Sequence, residues 1–167
     1  LGYHVGTQGQ ANQVSLRPNR FTANDDSQIM PLYASIKNPL RLTDIAQWDV
    51  EDIVSRLSED DLFRDAFNRH IPDWDWNNKL ADVNQYLELV GFKKALNELG
   101  YDGIVYLNRF ENVRKKKTNK PLTKKEIENN RRFLEESSDE QFLRRFNAED
   151  SYIAFEPTQL KSATGNM

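Results

Sequence analysis

The 167 residues are 38% hydrophobic and 29% charged, with a net charge of −3. That length suits one ordinary domain spanning 1–167, and the balance excludes a disordered chain and a globally basic nucleic-acid binder. The absence of cysteine rules out disulfides, thiolate zinc sites and cysteine nucleophiles, and suits a reducing, cytoplasmic setting.

The apolar runs are too short for a membrane span, and the first residues lack a signal-peptide plan. A start at Leu1 without an initiator methionine suggests a piece of something longer. Leu1 to Thr7 reads as a strand ending at Gly6, followed by a polar loop over 8–20 that shows no sustained period. RFTAND reads as a short extended segment. In IMPLYASIKNPLRL, Leu32, Ala34 and Ile36 alternate with Tyr33, Ser35 and Lys37, the period of a half-buried strand, which Pro39 ends or forces to an edge.

The middle of the chain is helical. Thr43 and Asp44 are candidate caps for a helix over WDVEDIVSRL, whose Val50, Ile53, Val54 and Leu57 fall on one face. Ser58 and the acidic residues behind it open a second helix, with Leu62, Phe63, Ala66 and Phe67 as its apolar face and Pro72 as its limit. A third runs from about Leu80 to Leu99, with Gly100 at the C-cap position. YDGIVYLNRF then supplies turn chemistry and a continuous apolar strand, Ile104 to Leu107.

The segment at about 112–150 is highly charged and reads as a helical insertion, with one helix opening at Thr123 and Glu126 in capping-box spacing and a shorter one after Ser137 or Ser138. SYIAF is a strand and the rest a polar tail. Strands at both ends with helices between them, lacking regular strand and helix alternation, point to an α+β fold with a mixed or antiparallel sheet. There is no GxxxxGK[ST] or GxGxxG string. The two histidines have no metal-ligand spacing and no persuasive serine partner, so no metal site and no serine hydrolase is expected.

Four stretches in order, YHVGT, IKNPLRLTDIAQWD, LGYDGIVYLNRFE and DSYIAFEPTQLKSATGN, resemble the ADP-ribosyltransferase domain of phage and mobile-element polyvalent proteins, within the H-Y-E branch of the ADP-ribosyltransferase superfamily. The resemblance implies a split antiparallel sheet around a cleft for NAD⁺, used as substrate. It also implies transfer of ADP-ribose to a protein or nucleic-acid target by a toxin or effector, alternatively NAD⁺ hydrolysis, or binding alone by a catalytically silent module.

On that resemblance Tyr3, His4, Val5, Gly6 and Thr7 line the NAD⁺ site, with His4 bonding a ribose hydroxyl and the Val5–Gly6 backbone facing the carboxamide. A glycine there lets a main chain approach a flat ring closely. The resemblance places a helix soon after the second strand that the sequence reads as missing or reduced, so the nicotinamide-stacking ring it implies is either Phe21 or Tyr33. The resemblance implies Glu111 as the catalytic carboxylate, with Glu149 as the second choice. Cleaving the nicotinamide bond builds cationic character on the ribose, which one aimed carboxylate stabilises.

If IVYLN and SYIAF pair as antiparallel neighbours, Glu149 and Asp150 meet Glu111 at the neck of the insertion. The basic run of Arg114, Lys115, Lys116, Lys117, Lys120, Lys124 and Lys125 is either a solvated face or a contact for the unknown acceptor. An immunity or inhibitor protein over the cleft is a further expected partner.

Overall fold

The computed structural model describes residues 2–15, 29–45, 48–76 and 85–164. Its centre is a four-stranded sheet ordered β1-β7-β4-β3, from β1 (Tyr3–Val5), β3 (Pro39–Leu42), β4 (Gly103–Leu107) and β7 (Asp150–Ala154). β4 and β7 pair antiparallel from Gly103↔Ala154 to Leu107↔Asp150, and β1 joins β7 antiparallel with His4 opposite Ile153. β3 runs parallel to β4, with Pro39 opposite Gly103. Proline's missing N–H is tolerated there, at the first residue of an edge strand.

The alternation over 29–42 does not make one strand. Leu32–Ala34 is β2, an exposed strand paired with β8 (Leu160–Ser162) in a separate ladder. The chain between β2 and β3 is captured by Asp102, whose carboxylate accepts the N–H groups of Lys37 and Asn38 at 2.8 Å each.

Paired residues share a sheet face, so His4, Ile153 and Ile104 lie together with Ser151 and Tyr106 two positions along. This face is covered by α2 (Val50–Leu57), α3 (Asp61–His70) and α4 (Gln85–Glu98), through Ile53, Val54, Phe63, Phe67, Phe92 and Leu96. Each such side chain contributes about 1.5–3 kcal/mol by leaving water, so the helical layer fixes the sheet that carries the site.

α2 begins after Asp49, and neither Thr43 nor Asp44 caps it. α3 starts at Asp60, whose carboxylate accepts the N–H of Phe63 at 3.1 Å. Leu62, expected on the apolar face, is 70% exposed. Gly100, at φ 89°, closes α4 through Tyr101 N–H to Leu96 O (2.9 Å) and Gly100 N–H to Asn97 O (3.0 Å). That is the paired bond set of a Schellman end, which favours glycine.

Residues 8–15, expected as loop, form α1 (Gln8–Ser15). Thr7-x-x-Gln10 has capping-box spacing, with Gln10 Oε1 accepting Thr7 N–H at 2.7 Å. α1 is fastened by amides: Gln10 Nε2 donates to Glu149 O (3.1 Å), and Gln13 Oε1 accepts from Asn112 N–H. A helix held this way needs no apolar stripe. Among the described residues, no helix is long and apolar enough to cross a membrane.

Between β4 and β7 lie β5 (Arg114–Lys115), α5 (Lys124–Asn129), α6 (Arg131–Glu136), α7 (Asp139–Arg145) and β6 (Phe146–Asn147). This charged segment buries a cluster of its own, Val113, Leu122, Leu134, Phe142 and Phe146 against Leu107. The capping box at Thr123 and Glu126 is formed as expected, and Ser138 with Gln141 makes a second.

Bonds first from Lys115 and then from Thr123 hold the Glu126 carboxyl well below its ordinary 4.5, at about 2. A depressed carboxylate stabilises the fold above its unfolded pKa and loses that contribution as pH falls through the folded value. Urea unfolding of Glu126→Gln should therefore show a smaller loss of stability between pH 4.5 and about 2 than the parent shows. Equal losses would remove this account.

Candidate active site

The exposed end of the core-facing sheet surface brings together side chains that lie far apart in sequence. His4 Nδ1 lies 3.5 Å from the Tyr106 hydroxyl, at the outer limit of a hydrogen bond. Tyr106 is 5% exposed and stacks on Trp48 with ring centroids 4.2 Å apart, and the Trp48 ring stands edge-on to His4 at 6.5 Å.

Burial pushes the Tyr106 phenol well above its ordinary 10, and the Asp44 and Glu111 carboxylates push in the same direction. It is therefore a permanent O–H at physiological pH. Desolvation lowers the His4 pKa from 6.5 although the residue is exposed at the rim, and Glu111 acts against that shift. A lowered pKa favours the neutral imidazole, and in the tautomer in which the Tyr106 hydroxyl donates to Nδ1 the ring proton sits on Nε2.

Glu111 sits on the turn after β4, and Asn108 organises that turn. Asn108 is 2% exposed; its Oδ1 accepts the N–H groups of Phe110 (3.1 Å) and Glu111 (2.8 Å), a local side-chain turn. Its Nδ2 donates to Glu111 Oε2 (2.7 Å) and to Ser151 Oγ (3.1 Å). One buried amide thus links the carboxylate to β7 at the position opposite Tyr106. The residue beyond, Arg109, donates its backbone N–H to the buried Asp44 at 2.8 Å.

The family of ADP-ribosyltransferases in polyvalent proteins matches residues 12–167. The chain belongs to this family. Comparison with curated proteins and with solved structures finds no match. The ADP-ribosyltransferase match begins after β1, so Tyr3 to Thr7 lie outside the matched residues.

Of the expected site residues, His4 and Glu111 border the same cluster through Tyr106 and Asn108. Tyr3 is 47% exposed on the opposite sheet face, and Val5 is half-buried opposite Tyr152. The Thr7 hydroxyl faces the first turn of α1, 3.5 Å from Gln10 N. At Gly6 a Cβ would meet Gln10 Oε1 at 2.3 Å and Ser151 Oγ at 3.1 Å, so the close approach here is made by the protein's own Gln10.

Glu149 reaches the neck through its backbone: its carbonyl accepts from Asn108 N–H and Gln10 Nε2 at 3.1 Å each, while the residue is exposed. Tyr33, 68% exposed, belongs to the β2–β8 ladder opposite Lys161 rather than to the sheet of His4. Phe21 lies outside the described residues. Among the described residues no group of three or more histidine or carboxylate side chains is placed to hold a metal.

Sequence reasoning missed Tyr106, Trp48, Asn108 and Ser151. Tyr106 and Asn108 stand in the IVYLN string, and Ser151 opens SYIAF. The available signal was polar side chains at the end of a continuous apolar strand.

Proposed function

We propose that residues 1–167 form one catalytic unit that transfers ADP-ribose from NAD⁺ to a macromolecular acceptor, as a toxin or effector domain of a larger phage or mobile-element protein, with about 112–150 as an insertion. The observation that carries this reading is the convergence of His4, the buried Tyr106 and the Asn108-held Glu111 at one end of the sheet, in a chain of this family. His4 Nε2–H binds an NAD⁺ ribose hydroxyl. Glu111 accepts a hydrogen bond from the nicotinamide-ribose 2′-hydroxyl and stabilises the cationic sugar as nicotinamide departs with the bonding electrons.

Among the described residues Trp48, half-buried and beside His4, is the ring best placed for stacking on nicotinamide, in place of Tyr33. Glu111 is preferred to Glu149 because it is half-buried and clamped. Transfer rather than hydrolysis requires that the acceptor outcompete water for the cationic sugar.

Calorimetric titration of NAD⁺ into the parent and His4→Ala, with released nicotinamide followed by chromatography, tests the reading. The parent is expected to bind and release nicotinamide, and the variant to bind at least about tenfold more weakly, the loss of one good hydrogen bond. No binding by the parent at millimolar NAD⁺ would remove the proposal; release without label on any macromolecule would make water the acceptor.

Asn108→Asp keeps the oxygen that holds the Phe110 and Glu111 N–H groups but replaces the donor facing Glu111 with a second carboxylate. A second carboxylate there turns the clamp on Glu111 into a like-charge contact and releases the glutamate side chain from its position. kcat is expected to fall about tenfold with KM little changed. An unchanged kcat would contradict the positioning role of Asn108.

A further inference from the structure

The segment from Val113 to Lys125 holds seven cations and no carboxylate. The structure gives it a fixed frame. Leu122 N–H donates to Val113 O (3.0 Å) and Lys115 N–H to Lys120 O (2.8 Å), and Asn119, at φ 52°, closes the turn onto Lys115 O (2.7 Å). β5 is also paired with β6, where Lys116 N–H meets Arg145 O at 3.0 Å, so the hairpin is part of the folded insertion. Among the described residues the segment's one ion pair is Lys115 with Glu126. Arg114, Lys116, Lys117, Lys120, Lys124 and Lys125 are exposed.

We propose that this hairpin is a docking surface for the phosphate backbone of a nucleic acid, bound without regard to base sequence. A protein partner is disfavoured by the patch's chemistry: interface centres are depleted in lysine and built on aromatic or arginine anchors, and between Arg114 and Lys125 there is no aromatic residue. The same absence removes base stacking and leaves phosphate contact, the sequence-independent part of nucleic-acid binding.

A lipid surface is disfavoured by the rest of the molecule. Net charge is −3 with seven cations in this segment, so the remainder sums to −10. A broad anionic plane would repel that remainder, whereas a narrow strand can follow the hairpin alone. The inference does not depend on the transferase reading, since binding is measured without NAD⁺. The hairpin begins three residues after Glu111, so a docked strand would run beside the candidate site.

The test is fluorescence anisotropy with labelled oligonucleotides of about 20 nucleotides, single- and double-stranded, of two unrelated sequences, over about 50 to 200 mM salt. Binding of all of them is expected, weakening by about 10²–10³ across that range if the six exposed cations each meet a phosphate. Lys117→Glu with Lys120→Glu should weaken binding at least about tenfold and flatten the salt slope by about 2 units. The charge-matched pair Arg131→Glu with Arg132→Glu on α6, where both arginines sit in local ion pairs, should change it much less.

Absence of binding at the lowest salt overturns the proposal, and needs no variant to fold. Equal losses in the two charge-reversed pairs, or binding to phosphatidylserine vesicles without binding to oligonucleotides, would overturn it as well.

Discussion

Glu111→Gln is expected to keep NAD⁺ affinity within about threefold and to lower nicotinamide release by on the order of 10²–10³, the usual effect of removing one preorganised electrostatic partner of a transition state. The substitution is nearly isosteric. A glutamine oxygen still accepts from Asn108 Nδ2, and the backbone N–H at this position still reaches Asn108 Oδ1, so the turn is retained. What disappears is the negative charge, which matters only once the ribose becomes cationic. The loss therefore belongs to kcat and not to KM.

Glu149→Gln makes the comparison informative. The bonds at that residue come from its carbonyl, which the substitution leaves in place, so activity should stay near the parent's. The assignment of Glu111 would be lost if its variant turned over normally, or if the Glu149 variant were the inactive one.

The elements legible in the sequence were those that carry their own signal. α2 showed an apolar face at helical spacing and buries Ile53 and Val54 as that face predicts. The β4–β7 pairing followed from two apolar strands flanking an insertion, and Gly100 marked the end of α4 through its need for positive φ. α1 was missed because apolar period was the criterion, while its amides bond to the hairpin neck; the Thr7-x-x-Gln10 spacing was the usable cue. The helices of the charged insertion were legible from their caps but its core was not, because each of its short helices gives only one fully buried side chain or none, too few to show a period. Its core becomes visible only when residues as distant as Val113 and Phe146 are brought together.

The same limit applied to the site. His4 and Glu111 stood out as residue types in suggestive strings, but the groups between them did not. Tyr106 is 102 positions from His4, and Asp44, which looked like a helix cap, is taken by a backbone N–H 65 positions away. Local pattern reports what a residue offers and not which distant partner accepts it. Asn108 was hidden for a related reason: a buried asparagine at a strand end looks like any turn residue until its four bonds are seen.

Arg109→Met should destabilise the protein by about 2–4 kcal/mol and Arg109→Ala by about 3–5, because a fully buried guanidinium bonds the turn after β4 to α6 and α7. Its side chain is 0% exposed; one terminal nitrogen donates to Leu134 O (2.8 Å) and Ser137 O (2.6 Å), the other to Asp139 (2.6 Å), and the group lies 5.3 Å from the Phe142 ring centroid. Asp139 in turn meets Arg41 at 3.3 Å, and Arg41 binds Asp150 at 2.6 Å, so the chain of charges runs from the insertion across to β3 and β7.

The two substitutions separate the terms. Methionine refills most of the volume, leaving the lost bonds to the Leu134 and Ser137 carbonyls as the main cost; alanine adds a cavity against Phe142. Two features moderate the loss. Asp139 is one-third exposed and retains Arg41, and the Nε of Arg109 has no partner among the described residues, so part of the parent's burial cost is already unrecovered. Chemical denaturation of the three proteins measures the differences.

A loss under about 1 kcal/mol for both variants would mean that solvation of the freed groups replaces the network, and that the apolar cluster of Phe142 and Phe146 with the Arg41–Asp139 pair is enough to position the insertion. With the larger loss, nicotinamide release should also fall below the melting temperature, because Arg109 lies in the turn between Asn108 and Glu111 and its lost side-chain bonds tie that turn to α6 and α7.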